Sequence, residues 1–342
     1  MSINGAYLIA ANLGDDTQVE QEQRRVQEQG QEQRAQRRFE LSRDDSCFPE
    51  LLVQRESAPE LLYGLGSEDA LGPGIAVIGA RNATLYGRRI ARLVATWAAD
   101  LGLVVYSGAA RGCDQAAHQG ALEAGGKTVA VMGCGADIVY PSRANKLLNE
   151  IAVSGAVISE YEWGQPPMKY RFRERNRLIA ALSDLVIVIE ARLPSGTLST
   201  VQHALELGVP VAAVPGSILC LESAAPNRLI SEGAFPICCR DDLAIACNLS
   251  STRPDISELN FDHDSLQGDC SQAGRIFSAL QSMSALPDEL AGDLDLSLGE
   301  VLETLGHLEV QGKICRYSDG RYGNTVGGDT KEKSRQLKLG CA

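Results

Sequence analysis

Apolar residues in the middle of the chain come as short runs separated by helical periods. The runs at 75–78, 103–106, 128–131, 156–158, 185–189 and 211–214 are rich in Val, Ile and Ala without polar alternation, the pattern of strands buried on both faces. Between them, Ile90, Leu93, Val94, Trp97 and Leu101 fall on one helical face, as do Leu147, Leu148 and Ile151, and then Leu178, Ile179 and Leu182. Strand and helix in alternation predict an α/β fold with a doubly wound, extended Rossmann-like and mostly parallel sheet.

The ends of the chain read differently. Residues 15–40 are nearly all Gln, Glu and Arg and carry no apolar stripe, so residues 1–47 are expected to form a disordered or loosely helical arm. Residues 48–73 read as a lead-in that packs onto the sheet domain, which extends to 246. Residues 247–270 are polar and irregular, as in a linker. Residues 271–325 are expected to form a small winged-helix-like domain, with helices at 275–283 and 298–308 and a hairpin over 312–323 turning at Asp319-Gly320. Residues 326–342 read as a flexible tail.

Composition narrows the class. No stretch approaches the roughly 18 apolar residues of a membrane helix, and the start lacks the basic and apolar regions of a signal peptide, so the expected location is the cytoplasm, away from any membrane. The ten cysteines contain no C-x-x-C pair and are expected to be reduced and mostly buried. The histidines are scattered, and neither a metal site nor a cofactor is expected. Net charge is −12, yet residues 71–246 carry 16 basic against 15 acidic side chains, while both flanks are strongly acidic.

Candidate chemistry gathers where the predicted strands end, because ligands of a doubly wound sheet bind beyond its carboxyl edge. Glycine recurs there: Gly79-Ala-Arg81, Ser107-Gly108-Ala-Ala-Arg111-Gly112, Gly133-Cys-Gly135, Ser195-Gly196-Thr197 and Pro215-Gly216. Glycine lets backbone amides approach a phosphate, and Arg81 and Arg111 add long cations that a simple turn does not need. The densest positive charge is Lys169-Tyr-Arg171-Phe172-Arg173-Glu-Arg175-Asn176-Arg177. Read as extended chain, it places Lys169, Arg171 and Arg173 on one face, and interleaved aromatics beside cations are the recipe for single-stranded nucleic acid. Five phosphate contacts there would each add about −0.7 to the salt slope. Catalytic candidates are thin: Asp114 reads as a helix N-cap, Glu160 and Glu190 lack a fixed partner, and Ser195 and Thr197 read as caps.

Taken in order, Ile-Ala-Val-Ile-Gly79-Ala-Arg81, Ser107-Gly-Ala-Ala-Arg111-Gly-Cys-Asp114, Gly133-Cys-Gly135, Ile-Val-Tyr140-Pro141, Ser159-Glu160-Tyr161, Phe172-x-x-Arg175-Asn-Arg177, Ser195-Gly196-Thr197, Pro215-Gly216 and Asn227-x-Leu-Ile230-x-x-Gly233-Ala234 resemble the DNA-processing protein A (DprA/Smf) family over residues 48–242. Residues 302–322 resemble the winged-helix domain that many members append. The resemblance implies a non-enzymatic, cytoplasmic protein that binds and protects incoming single-stranded DNA in natural transformation and loads the RecA recombinase onto it, as a homodimer. It implies that Arg81, Lys169 and Phe172 contact the strand, in a pocket formed with 107–112 and 175–177. Position 80 is Ala where the family usually has Ser, and Arg173 stands where Pro commonly follows the Phe. The family's usual N-terminal helical domain is not recognisable in residues 1–40. The alternative is a nucleotide-binding or nucleotide-hydrolysing enzyme like the LOG phosphoribohydrolases, but their P-G-G-x-G-T-x-x-E loop is here Pro194-Ser-Gly-Thr-Leu-Ser-Thr200, without the glycine pair and the acid. The helix at 298–308 carries Glu300 and Glu303 and no Lys or Arg, so that domain is expected to serve protein contacts or dimer support.

Overall fold

The structure is a computed structural model that describes Ala35 and residues 37–54, 58–249, 271–282, 284–317 and 319–324. Its first unit runs β1 (Arg38–Ser42), α1 (Glu50–Val53), β2 (Leu61–Gly66), β3 (Gly74–Ile78), α2 (Leu85–Asp100), β4 (Val104–Ser107), α3 (Cys113–Glu123), β5 (Thr128–Val131), α4 (Asn145–Ser154), β6 (Ala156–Ser159), α5 (Arg171–Ala181), β7 (Leu185–Val188), α6 (Leu198–Glu206), β8 (Val211–Ala213), α7 (Ala224–Ser231), β9 (Phe235–Pro236) and α8 (Arg240–Ala246). All six predicted strands form. They join one nine-stranded sheet in the order β1-β2-β6-β5-β4-β3-β7-β8-β9. The strands from β6 to β9 run parallel, and β2 and β1 extend that sheet antiparallel at its β6 edge.

Because β3 to β7 are buried on both faces, each strand feeds two cores. On one side Ala76, Ile78, Tyr106, Val129, Val131, Val186 and Val188 pack under α5, α6 and α7 through Leu178, Ile179, Val201 and Ala225. On the other, Ile75, Val77, Val105 and Ile187 pack under α2, α3 and α8, with Ala130, Met132 and Val157 under α4. The order of β4, β5 and β6 on one side of β3 and β7, β8 and β9 on the other puts the topological switch between β3 and β7.

Three sequence expectations need correction. Residues 38–42 lie in the predicted arm yet form β1, paired in register from Arg38 opposite Leu65 to Ser42 opposite Leu61; the rest of the arm up to Gln36, Ala35 apart, lies outside the described residues. The stripe of α2 is centred on Ala91, Val94, Ala95 and Ala98, all fully buried, while Leu93 is exposed and Ile90 and Trp97 are half-buried. Small side chains there let α2 lie close to the alanine-rich α3, so the larger residues move to the rim. Of the eight described cysteines, only Cys113 and Cys134 are buried.

The chain divides into two compact units, Met1–Arg253 and Pro254–Ala342. In the second, α9 (Gln272–Ser282), α10 (Pro287–Leu294) and α11 (Leu298–Val310) precede an antiparallel hairpin of β10 (Ile314–Arg316) and β11 (Tyr322–Asn324). Ile276, Leu280, Leu290, Val301, Leu305, Leu308, Ile314 and Tyr322 make its core. Helices followed by a wing define a winged helix. The middle helix, α10, is absent from the sequence expectation, although Pro287 at its start and acidic Asp288 and Glu289 in its first turn mark it. Glu300 caps α11 in a box with Ser297, each accepting from the other's amide, at 2.9 Å to Glu300 Oε2 and 3.3 Å to Ser297 Oγ. The 250–270 part of the predicted linker, residue 325 at the end of the predicted winged-helix domain and the predicted tail at 326–342 lie outside the described residues. No helix among those described is long and apolar enough to cross a membrane.

Candidate nucleic-acid interface

The basic segment after Pro166-Pro167 is a helix from Arg171 onward, not an extended chain. That change redistributes its cations, because residues two apart point to nearly opposite sides of a helix. Arg173 faces out and is exposed, whereas Arg175 turns inward and is 4% exposed. Arg177 is half-buried and ion-paired with Glu160. Arg171 donates to Pro166 O at 3.1 Å and Gln165 Oε1 at 3.0 Å and lies over the Tyr161 ring, 4.6 Å from its centre. Lys169, just before the helix, is exposed, and neither it nor Arg173 makes an ion pair among the described residues.

Phe172 is half-buried and stacks on Tyr140, with ring centres 4.9 Å apart and planes 29° apart. Arg81, exposed at the end of the β3 turn, brings its guanidinium carbon to 5.9 Å from the Phe172 ring centre. Arg111 is also exposed and reaches Asn82 Oδ1 at 3.5 Å. Residues from three separate turns therefore meet at one rim: Arg81 after β3, Tyr140 after β5 and Phe172 at the start of α5. Tyr140 is the residue that the reading of the segment at 169–177 omits, although it stands in the Tyr140-Pro141 motif; nothing local ties it to a phenylalanine 32 residues on.

Behind this rim lies a buried polar frame. Ser107 is fully buried, its hydroxyl donating to Val77 O at 2.7 Å, so that side chain faces the core and not a ligand. Arg175 donates to Gly108 O at 3.1 Å and to Val131 O, and its Nε donates to Asn176 Oδ1 at 3.3 Å. A Cβ on Gly108 would fall 2.5 Å from Arg175 Nη2, so only glycine admits the guanidinium. Asp114 is not the N-cap of α3, which is Gly112. Its Oδ2 instead accepts from the Gly108 and Ala110 amides at 3.2 and 3.4 Å, pinning the 107–112 turn from below. Asn176 donates to Ser199 Oγ at 2.8 Å, and Ser199 donates to Gly196 O at 2.8 Å, linking α5 to the turn before α6. Ser195 Oγ accepts from the Thr197 amide at 3.2 Å, while the Thr197 hydroxyl donates to Gly79 O at 3.2 Å instead of capping its helix.

Burial raises the Asp114 carboxyl to about 6, against the pull of Arg175 and of the two amides. Burial lowers His118 to about 3, and Arg175 pushes the same way. The Thr128 hydroxyl gives its proton to Val105 O, so it accepts from His118 Nδ1 at 2.7 Å. The two groups act on stability in opposite directions. Asp114, raised, contributes stability that is present below its ordinary value of 3.8 and is lost as pH rises through about 6. His118, lowered, contributes stability that is present above its ordinary 6.5 and is lost as pH falls toward 3. Wild type is therefore expected to gain on Asp114→Asn by about 1 kcal/mol between pH 7 and pH 5 in thermal unfolding. An unchanged difference between the two proteins at both pH values would contradict this.

A doubly wound sheet whose carboxyl edge carries exposed arginines around a stacked aromatic pair is followed in the same chain by a winged helix. Residues 40–248 match the family of DNA recombination-mediator protein A, and residues 263–320 match the DprA winged helix domain. The chain belongs to the DNA recombination-mediator protein A (DprA/Smf) family. It is 43% identical over 191 residues to the DNA processing protein DprA of Streptococcus pneumoniae, a match covering 56% of this chain and 67% of that protein. The X-ray structure of DprA from Streptococcus pneumoniae superposes with a TM-score of 0.58 at 39% identity, covering 62% of this chain and 75% of that one. A structure addressing the single-stranded DNA binding mode of DNA processing protein A from Helicobacter pylori superposes with a TM-score of 0.56 at 31% identity, covering 63% of this chain and 95% of that one.

Proposed function

We propose that the rim binds single-stranded DNA. The observation that carries this is the Phe172–Tyr140 stack flanked by the exposed cations Arg81, Lys169, Arg173 and Arg111. An aromatic face takes an unpaired base, and the cations take the phosphates on either side of it. Gly79, Gly108, Gly112, Ser195 and Gly196 shape the turns along which the strand runs, and Ser107, Asn176, Arg175, Arg171 and Arg177 hold those turns in place rather than touching the strand. Binding of a labelled unstructured oligonucleotide and of its duplex, followed by fluorescence anisotropy, tests this. Tighter binding of the single strand is expected; equal or tighter binding of the duplex contradicts it.

The wider reading, which the recombination-mediator family supports, is that the protein protects incoming single strands in the cytoplasm and loads RecA onto them as a homodimer. A binding protein without a reaction of its own fits the carboxylates at the strand ends. Asp114 is held by amides, Glu160 by Arg177 through Oε2, and Glu190 by Thr84. The exposed surface of α11 bears Glu303, Glu309 and Leu302 and no Lys or Arg, so the winged helix adds little to strand binding. Removing residues 254–342 is expected to leave single-strand affinity within about threefold of the full chain, less than one phosphate contact would supply. Loss of nearly all binding would place the strand on the second unit.

A further inference from the structure

Tyr170, at the cap of α5, is 54% exposed, more than any other aromatic side chain among the described residues. Leaving so large a ring in water gains nothing for the fold. The ring is nevertheless held in place. Its backbone is already helical, at φ −69° and ψ −35°, and its carbonyl accepts from the Arg173 and Glu174 amides at 3.0 and 3.2 Å. The Arg171 guanidinium lies over the Tyr170 ring at 5.9 Å and over the Tyr161 ring at 4.6 Å. Arg171 is itself fixed by Pro166 O and Gln165 Oε1, and the Tyr161 hydroxyl donates to Glu174 Oε2 at 3.0 Å, which engages the acid of the segment. Tyr161, Arg171 and Tyr170 thus form a chain of cation–π contacts whose outer end is an exposed ring. Residues two apart point to nearly opposite sides of a helix, so Phe172 turns toward Tyr140 and Arg81 while Tyr170 turns toward Tyr161. The same turn carries Lys169 and Arg173, both exposed.

We propose that Tyr170 is a second base platform, which takes a further unpaired base of the strand after it has crossed the first turn of α5 from Phe172. This rests on the strand-binding reading of the rim and extends it from one ring to two. Lys169 and Arg173 meet the phosphates of the crossing, and the two rings take bases on either side of it. Selectivity follows from the arrangement. An unpaired strand can turn two of its bases to opposite sides of a helix, whereas the bases of a duplex are paired and stacked on one another. Any base has a face to stack, so neither ring imposes a sequence.

Anisotropy titration of a labelled oligothymidylate against wild type, Tyr170→Ala, Tyr170→Leu, Tyr170→Trp and Phe172→Ala tests the proposal, with circular dichroism to show that each variant is folded. Tyr170→Ala and Tyr170→Leu are expected to weaken binding about 5-fold or more, the lower end for one base–aromatic stack. Tyr170→Trp should stay within about twofold of wild type, because stacking needs a ring and not a hydroxyl. Combining Tyr170→Ala with Phe172→Ala should multiply the two losses, as for two bases on separate rings. Photocrosslinking of a strand that carries an iodinated uracil, with mass spectrometry of the adducts, should label both Tyr170 and Phe172. Tyr170→Leu binding as tightly as wild type, or adducts at Phe172 alone, would overturn the second platform and leave the first in place. Wild-type affinity in both Tyr170→Ala and Phe172→Ala would instead overturn the strand-binding reading of the rim, and this proposal with it.

Discussion

Replacing Phe172 with alanine should weaken single-strand binding by about 5- to 150-fold, the range that corresponds to the roughly 1–3 kcal/mol of one base–aromatic stack. Phe172 is the residue on which the other parts of the rim converge: Tyr140 supports one face at 4.9 Å and Arg81 approaches at 5.9 Å. Without the ring, a base loses its partner and Arg81 loses the surface that orients it. Tyr140→Ala removes support rather than the stack, so a smaller loss is expected there. Fold stability should change little in either variant, because Tyr140 is exposed and Phe172 half-buried. Anisotropy titrations at one fixed salt concentration check both, and an affinity for Phe172→Ala within twofold of wild type would exclude the ring as a base platform.

The second large effect concerns a residue that touches no ligand. Arg175→Met keeps most of the volume and removes the guanidinium, leaving Gly108 O and Val131 O without their donor and Asp114 without the opposing charge that acts on it most. Breaking one side of a buried charged arrangement costs about 3–5 kcal/mol, so denaturant unfolding should show a loss of that order. Asp114→Asn alone should cost less, since an amide oxygen still accepts from Gly108 and Ala110. The double variant should be more stable than the sum of the two losses implies, because the uncompensated buried acid is gone. Single-strand binding should fall in Arg175→Met even at temperatures where the variant is folded, as the 107–112 turn is no longer locked to α5. A loss below about 1 kcal/mol would show that the guanidinium is not part of the frame.

What could be read from the sequence follows from how local each signal is. Runs such as Leu185-Val-Ile-Val188 declare a strand by themselves, and their spacing declares the winding. Arg38-Phe-Glu-Leu-Ser42 alternates polar and apolar residues at the end of a Gln-rich stretch, and it becomes a strand only because β2 offers an edge, which is a tertiary fact. The alternating cations of 169–177 fit an extended chain as written. The helix that forms sends one arginine to the core, one to an acid and one to solvent, and partners such as Val131 and Gly108 lie 44 and 67 residues away. Glycines after the strands were legible as close approaches, but not what approaches: at Gly108 it is the chain's own arginine, and at Gly133 the ring of Phe172. The glycine turns and Arg81 were readable as one edge because strand ends define it, whereas Tyr140 joins it through a single stack.

The most direct test of the account is the salt dependence of single-strand affinity in wild type and in the double variant Arg81→Ala with Lys169→Ala. Four outward cations at about 0.7 each predict a wild-type slope of log affinity against log salt of roughly −2 to −3, shallower than five basic residues in a row would give. The double variant should be flatter by about 1.4. A wild-type slope near zero, or a variant with the same slope and affinity as wild type, would contradict a strand held at this rim.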